Sequence, residues 1–334
     1  MKQHLLASSA IIFASSFLAA PALAQEAAVD AESGGEIMVT ARRQSERLQE
    51  VPASVSVLTG AALERTGSVK TEDFVKLTPG VTIVTGTAEA GDTQINIRGI
   101  NGARDAESSV ALMVDGILKT NTAQLNQPQG TLQQVEVLKG PQGAIYGRNA
   151  AAGAIVIQTL KPGDSLEGAI SGSYANEHTA EVKGHIAGPL SEGVGFVLSG
   201  YYRRTDGFFR NRFLDSKTVD NQRNFAVDGR VLVEAGPDTT VDVKARYAEF
   251  RGASLPFNAA FHLPNFAAVN PAFYEDVDDH PFRFYNNIRA TNDQDSFDAS
   301  VKIDHSFETM KLSAWALYSD VKQDLVADGT SADF

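Results

Sequence analysis

Cysteine is absent from the 334 residues. This excludes a disulfide scaffold, a zinc–thiolate centre and a cysteine nucleophile. The hydrolase signatures G-x-S-x-G and H-E-x-x-H are missing too. The six histidines are dispersed, and none is spaced like a metal-ligating pair. Basic side chains are outnumbered, 29 against 41 acidic, for a formal charge of −12. Nucleic-acid binders usually carry a basic patch, so that partner class is disfavoured. Beyond Ala24 no apolar run is long enough to cross a bilayer as a helix. The acidic run EDVDDH, Glu275 to His280, reads either as a cation site or as a solvated loop. No catalytic residue, metal ligand or cofactor is assigned.

What is present starts at the N-terminus. Lys2, the apolar run Leu5 to Ala20 and Ala22-Leu23-Ala24 have the order of a cleaved signal peptide over residues 1–24. An exported chain without a helical span is either soluble or an outer-membrane barrel, whose strands escape hydropathy scans. Residues 25–35 are small and acidic without periodicity and read as a disordered leader. Ile37, Met38 and Val39 then form a short apolar patch. It reads equally as an ordinary first strand or as an extended peptide for strand addition to a partner.

From Val51 to Thr159 helix and strand signals mix. AALERT has the composition of a short helix. SVKTEDFVKLTPG predicts a second, with Ser68 or Thr71 as N-cap and Pro79-Gly80 as the stop. VTIV, QINIRGI, VALMVDGI, VEVLKG and AIVIQT are β-rich and separated by turn residues. An α+β domain is expected.

Past Leu166 the pattern changes to longer segments of period two. Val241, Val243, Ala245 and Tyr247 alternate with Asp242, Lys244 and Arg246. Phe297, Ala299, Val301 and Ile303 alternate with Ser296, Asp298, Lys302 and Asp304. Seven such segments are legible. Connections are short at 189–193, 235–238 and 307–310, and long at 205–221 and 251–294. Aromatics gather near segment ends, as at Tyr201, Tyr202 and Tyr318. A soluble sandwich also alternates. Turn lengths and aromatic placement favour a transmembrane barrel. Seven strands leave two open edges, so the front part of a longer barrel is expected.

QVEVLKGPQGAIYGRNAAAGAIVIQT, Gln134 to Thr159, has the glycine density of a phosphate loop. It lacks the Lys-Ser/Thr of a Walker A motif and the G-x-G-x-x-G of a dinucleotide fingerprint. It ends as a strand rather than opening a helix that could hold an anion. Gly140, Gly143 and Gly147 are expected to serve tight turns or close backbone approach.

Ile37-Met38-Val39-Thr40-Ala41, Asn96-Ile97-Arg98-Gly99, Val114-Asp115-Gly116 and Val135 to Gly147 occur in that order. Together they resemble the TonB box and plug domain of TonB-dependent outer-membrane receptors. The resemblance covers residues 36 to about 161 by motif and the remainder by strand pattern. It implies an α+β plug domain followed by antiparallel transmembrane β-barrel strands, here about seven of an expected 22. The implied divisions are signal peptide 1–24, leader 25–35, TonB box 36–41, plug domain 42–161 and the first part of the barrel, 166–334.

The implied activity is active uptake of a scarce nutrient such as an iron–siderophore complex. It is driven through TonB and its inner-membrane energising complex, and no substrate bond is broken. Ile37 to Ala41 would pair with TonB. Arg98 and Arg148 match plug arginines that face barrel carboxylates, and a solvated surface arginine is the alternative for each. Asp115 and Gly116 would fix a turn. Substrate contacts would fall on apex loops that include Asn101, Arg104, Asp105, Thr120 and Gln124. The leader is too short for an N-terminal signalling domain, so transport without cell-surface signalling is expected. A different class of function, an exported β-rich structural or adhesion module, would give a folded product soluble without detergent.

Overall fold

The two halves of the chain bury opposite kinds of residue, and the elements show why. The structure, a computed structural model, describes residues 37–40, 44–85, 93–100, 107–120, 124, 127–254, 284 and 286–327. The N-terminal part runs β1 (Met38–Val39), β2 (Glu46–Arg47), a 3-10 turn (Leu48–Glu50), β3 (Ser54–Thr59), α1 (Gly60–Thr66) and α2 (Thr71–Val75). It continues β4 (Val81–Thr85), β5 (Thr93–Ile97), β6 (Val110–Val114), β7 (Ile117–Lys119), β8 (Leu132–Lys139), α3 (Gly143–Tyr146) and β9 (Gly153–Thr159).

A mixed sheet in the order β3-β8-β9-β6-β7 forms the centre of this part. Only β6 and β9 pair parallel. Alternate residues face two separate cores. Val110, Leu112, Val114, Val135, Val137, Ile155 and Ile157 join Leu63, Phe74, Ile95 and Ile97 on one face. Ala111, Met113, Leu138, Ala154 and Val156 join Val39, Val51 and Tyr146 on the other. A strand covered on both faces reads as an unbroken apolar run, which explains VALMV and AIVI. Burying each large side chain of this kind stabilises the fold by about 1.5–3 kcal/mol.

Both expected helices form. Thr59 caps α1 by accepting from the Ala62 N–H at 3.4 Å. The cap of α2 differs from expectation. Lys70 occupies the N-cap position, and Thr71 is the first helical residue. Asp73 takes the backbone N–H groups of Val69 and Lys70 at 2.9 and 3.0 Å. A carboxylate in the first turn, favoured by the helix dipole, satisfies the donors that a hydroxyl was expected to hold. Ser68 instead hydrogen-bonds Thr66 Oγ1 at 2.8 Å.

The second part is a seven-stranded antiparallel sheet in chain order: β10 (Glu167–Ala175), β11 (Thr179–Ser191), β12 (Val194–Thr205), β13 (Gln222–Glu234), β14 (Thr239–Gly252), β15 (Thr291–Ser306) and β16 (Lys311–Val326). It is open, with β10 and β16 as unpaired edges. Several strands outrun their apolar segments, because pairing continues into polar residues, as between Asp293 and Asp324. At one end the connections are the tight turns 192–193, 235–238 and 307–310. At the other end 206–221 is long, but 176–178 is only three residues. That connection departs from the expected alternation. Glu177 and His178 adopt positive φ there and close the turn.

The inner strands alternate as expected, and burial there settles which face is which; β10 is exposed throughout and β16 along most of its length. On β15 the buried residues are Asn292, Gln294, Ser296 and Asp298, while Phe297, Val301 and Ile303 are exposed. Val231 and Val243 on the neighbouring strands are likewise exposed, and Arg230 and Arg246 are buried. A soluble sandwich buries its apolar face. This sheet presents that face outward, as a lipid-facing wall does.

Candidate functional site

Two constellations stand out: a docked N-terminal segment and a polar interface between the mixed domain and the wall.

The first is built on β8 and β9. Glu136 interrupts an apolar run, and its side chain is wholly buried. It has no cation beside it among the described residues and is satisfied by neutral donors. The Thr40 N–H donates to both of its oxygens at 2.9 and 3.0 Å, and Thr40 Oγ1 donates at 3.1 Å. Gln158 Nε2 donates at 2.7 Å and Gln134 Nε2 at 3.0 Å. Gln134 also donates to the Met38 carbonyl at 2.9 Å, and Gln158 to Thr40 Oγ1 at 3.0 Å. Val39 is buried in the second core. Met38 and Val39 pair antiparallel with Arg47 and Glu46. Backbone groups that an incoming strand would use are therefore already held, while the Met38 and Ile37 side chains are exposed. Ala41 lies outside the described residues.

The second constellation centres on the β6–β7 turn. Asp115 and Gly116 both have positive φ, 49° and 84°, as the two central residues of a type I′ turn require. The Asp115 carboxylate accepts from the Thr159 N–H at 2.9 Å and its hydroxyl at 2.7 Å, tying the turn to β9. It also reaches the wall, with an ion pair to Lys244 and Arg230 Nη1 at 3.8 Å. Burial alone would raise the pKa of this carboxyl. The charges of Lys244 and Arg230, with hydrogen bonds from Lys244 and Thr159, overcome it and hold the pKa at about 2. Arg230 in turn pairs with Asp242 at 2.5 Å and donates to the Leu160 carbonyl at 3.0 Å.

A second set of contacts continues along the wall. Lys119 pairs with Asp298 at 3.2 Å, both side chains buried. Burial draws the Lys119 ammonium below the usual lysine range, and Arg246 and Lys244 add to that, against the pull of Asp298. Gln124 donates to Asp298 at 2.9 Å and to Ser319 at 3.1 Å. Arg246 donates to Gln127 at 2.9 Å and to the Pro128 carbonyl at 2.9 Å. Buried charges are costly unless paired and hydrogen-bonded, and these are. The arrangement holds the domain to the wall. It contains no nucleophile–base pair.

Several expected sites fall elsewhere. Arg98 is exposed, and its backbone forms a tight turn at φ 54°. Ile97 and Ile100 close that turn with hydrogen bonds of 3.1 and 3.0 Å. Arg148 pairs at 3.4 Å with Glu107 of the same domain, both exposed. Among the described residues neither guanidinium meets a wall carboxylate. Both senses of pairing occur in this interface: the domain offers Asp115 to Lys244 and Arg230, and Lys119 to Asp298. Gln124 is fully buried against the wall rather than open at an apex. Thr120 is exposed. Asn101, Arg104 and Asp105 lie outside the described residues.

Gly140 and Gly147 have positive φ, but Gly143 does not and merely opens α3. Gly153, in the same string, is needed for close approach. A Cβ there would lie 2.2 Å from the Leu138 carbonyl oxygen and 2.8 Å from Ile97 Cδ1.

Residues 47–154 match the family described as TonB-dependent Receptor Plug Domain. Residues 47–154 are thus a plug domain of the TonB-dependent receptor type. That plug domain is the mixed sheet, and the wall resembles the barrel sheet of these receptors. Among curated relatives, the pesticin receptor of Yersinia pestis is 30% identical over 207 residues, 60% of this chain and 30% of that protein. The vitamin B12 transporter BtuB of Vibrio vulnificus is 28% identical over 209 residues, 61% of this chain and 33% of that protein. The chain thus spans about a third of the length of these relatives.

The fold of the TonB-dependent receptors is shared with the ferric yersiniabactin uptake receptor FyuA of Yersinia pestis. The TM-score is 0.67 at 18% identity, over 83% of this chain and 42% of that one. The pyoverdine receptor FpvA of Pseudomonas aeruginosa gives 0.66 at 19% identity, over 88% and 42%.

Sequence reading missed Glu136, Gln134 and Gln158, although one acid inside Val135–Val137 was a usable signal. It also missed the wall residues Arg230, Lys244, Arg246 and Asp298 as plug contacts. Their mixed signs on one face of adjacent segments were the available clue.

Proposed function

We propose that this chain is the plug and first wall strands of an outer-membrane receptor that takes up a scarce nutrient by active transport through TonB. The nutrient class is an iron–siderophore complex. The observation that carries the reading is the docked segment Met38 to Thr40, set at the head of a plug that is tied to an outward-apolar wall. Strand addition needs only backbone groups and tolerates varied side chains. The segment offers such groups once the bonds to Glu136 and Gln134 are exchanged.

The substrate class is supported by the two structural neighbours named for ferric yersiniabactin and pyoverdine. The vitamin B12 transporter among the relatives keeps cobalamin as the competing cargo. Ile37 to Ala41 pair with TonB and its inner-membrane energising complex. Exposed apex loops, including Thr120, receive the substrate. Residues 1–24 direct export and are cleaved, and the protein resides in the outer membrane. No resident cofactor takes part.

The test is uptake of radio-iron, as ferric yersiniabactin or ferric pyoverdine, and of labelled cyanocobalamin, by cells expressing the receptor with Ile37→Pro. Proline removes a backbone donor and restricts the segment. The expected outcome is loss of energy-dependent uptake while surface binding of the cargo is retained. Undiminished uptake in that variant rejects the TonB assignment. Uptake of cyanocobalamin alone rejects the siderophore class.

A further inference from the structure

The outward face of the wall changes character at the end that carries the 206–221 connection. The apolar rows stop at aromatics, with Tyr202 directly opposite Phe225, both exposed. One step further along the same face, Arg204 stands directly opposite Arg223. Like charges in facing positions of adjacent strands destabilise a sheet unless something lies between them. Each guanidinium has one carboxylate partner among the described residues. Arg204 meets Asp206 at 3.3 Å, and Arg223 meets Glu249 at the longer distance of 3.9 Å. Both side chains remain more than half exposed, 62% and 53%. Arg251, the next residue in the row, is differently placed. It is tied to Asp295 at 2.6 Å and to the Gln294 and Phe250 carbonyls at 2.9 and 3.0 Å.

From this geometry we infer that Arg204 and Arg223 form a site for the phosphate of an outer-leaflet lipid headgroup. The inference rests on the outer-membrane reading above, which places the long-connection end outside the cell. Two planar forks side by side suit a phosphate, because each can donate two parallel hydrogen bonds. Arg204 and Arg223 stand one step beyond the aromatic pair on the same face, so the charged ends sit at headgroup level while acyl chains cover Tyr202 and Phe225. Glu249 and Asp295 on the neighbouring strands repel a second phosphate and confine the site to β12 and β13. Arg203, on the opposite face of β12, lies within 3.8 Å of Glu181 and takes no part.

The test uses the full chain in dodecyl maltoside, supplied with diphosphorylated lipid A or phosphatidylcholine and examined by native mass spectrometry. The wild type is expected to retain lipid A and not phosphatidylcholine. R204Q/R223Q should lower that retention about tenfold or more, since hydrogen bonds to charged groups carry most of the contact. R203Q should retain lipid A like the wild type, and R204K/R223K should fall between, because the charge survives without the fork. Equal retention by R204Q/R223Q and the wild type overturns the site. So does complete displacement by equimolar inorganic phosphate, which would mark a free-anion site. Insertion into phosphatidylcholine vesicles separates the two readings. If the wild type inserts but the headgroup result is negative, only this site fails. If it does not insert, the outer-membrane reading fails and the site with it.

Discussion

The plug and the wall are both β-sheets from one chain, yet they obey opposite burial rules. All five residues of β6 in the plug are buried, and all five are apolar. The four most buried side chains of β15 in the wall are polar, and its Val301 and Ile303 are exposed. The plug strand is covered by protein on both faces. The wall strand has the plug's polar contact surface on one face and presents an apolar face outward. A sheet's pattern therefore reports what stands on each side of it rather than a general preference for apolar interiors.

The contrast is most sharply broken where the two regions meet. Asp115→Asn leaves Lys244 without its buried carboxylate, while Arg230 keeps Asp242, and should destabilise the docked plug by about 3 kcal/mol. Chemical denaturation in detergent with a plug-specific protease cut as readout would register it. An unchanged midpoint would show that the plug is held elsewhere. Next in size, Val301→Arg puts a charge on the outward apolar face and should reduce stability in lipid vesicles by about 2–4 kcal/mol. The same variant should be almost silent if that face meets water, so refolding yield into vesicles decides between the two.

The acid limit follows from the same carboxylate. The Asp115 pKa falls from 3.8 to about 2 on folding. Its contribution is complete above the unfolded value and is lost as pH drops through the folded one. Plug docking should therefore weaken by about 2 kcal/mol between roughly pH 4 and pH 2. In Asp115→Asn that part of the pH dependence should vanish. Smallest of all, Arg148→Ala removes an exposed ion pair with Glu107 and should change stability by less than about 1 kcal/mol. A large effect would restore the wall contact expected for Arg148.

Much of the fold was legible because its signals are local. Period-two alternation marked the seven wall strands, and unbroken apolar runs marked β6 and β9. The Asp115-Gly116 turn was legible from the residues that tolerate positive φ. Pairings across long sequence separation were not. Asp115 meets Lys244 across 129 positions, and Gln124 meets Asp298 across 174. No residue type announces its partner over such a distance. The arginines in the recognisable motifs drew the expectation of a wall contact. Among the described residues the contact uses Asp115 from the motif beside them, together with Lys119, because the β6–β7 turn and β7 lie against the wall.

The order of the plug motifs and the alternation of the strands were determined by the sequence itself, because turn chemistry and face periodicity are properties of neighbouring residues. Which face of the wall is turned outward, which plug side chain pairs with the wall, and that Thr40 is held by Glu136 were decided only in the tertiary structure. Burial and charge pairing depend on what packs opposite, and the partners come from strands far apart in the chain.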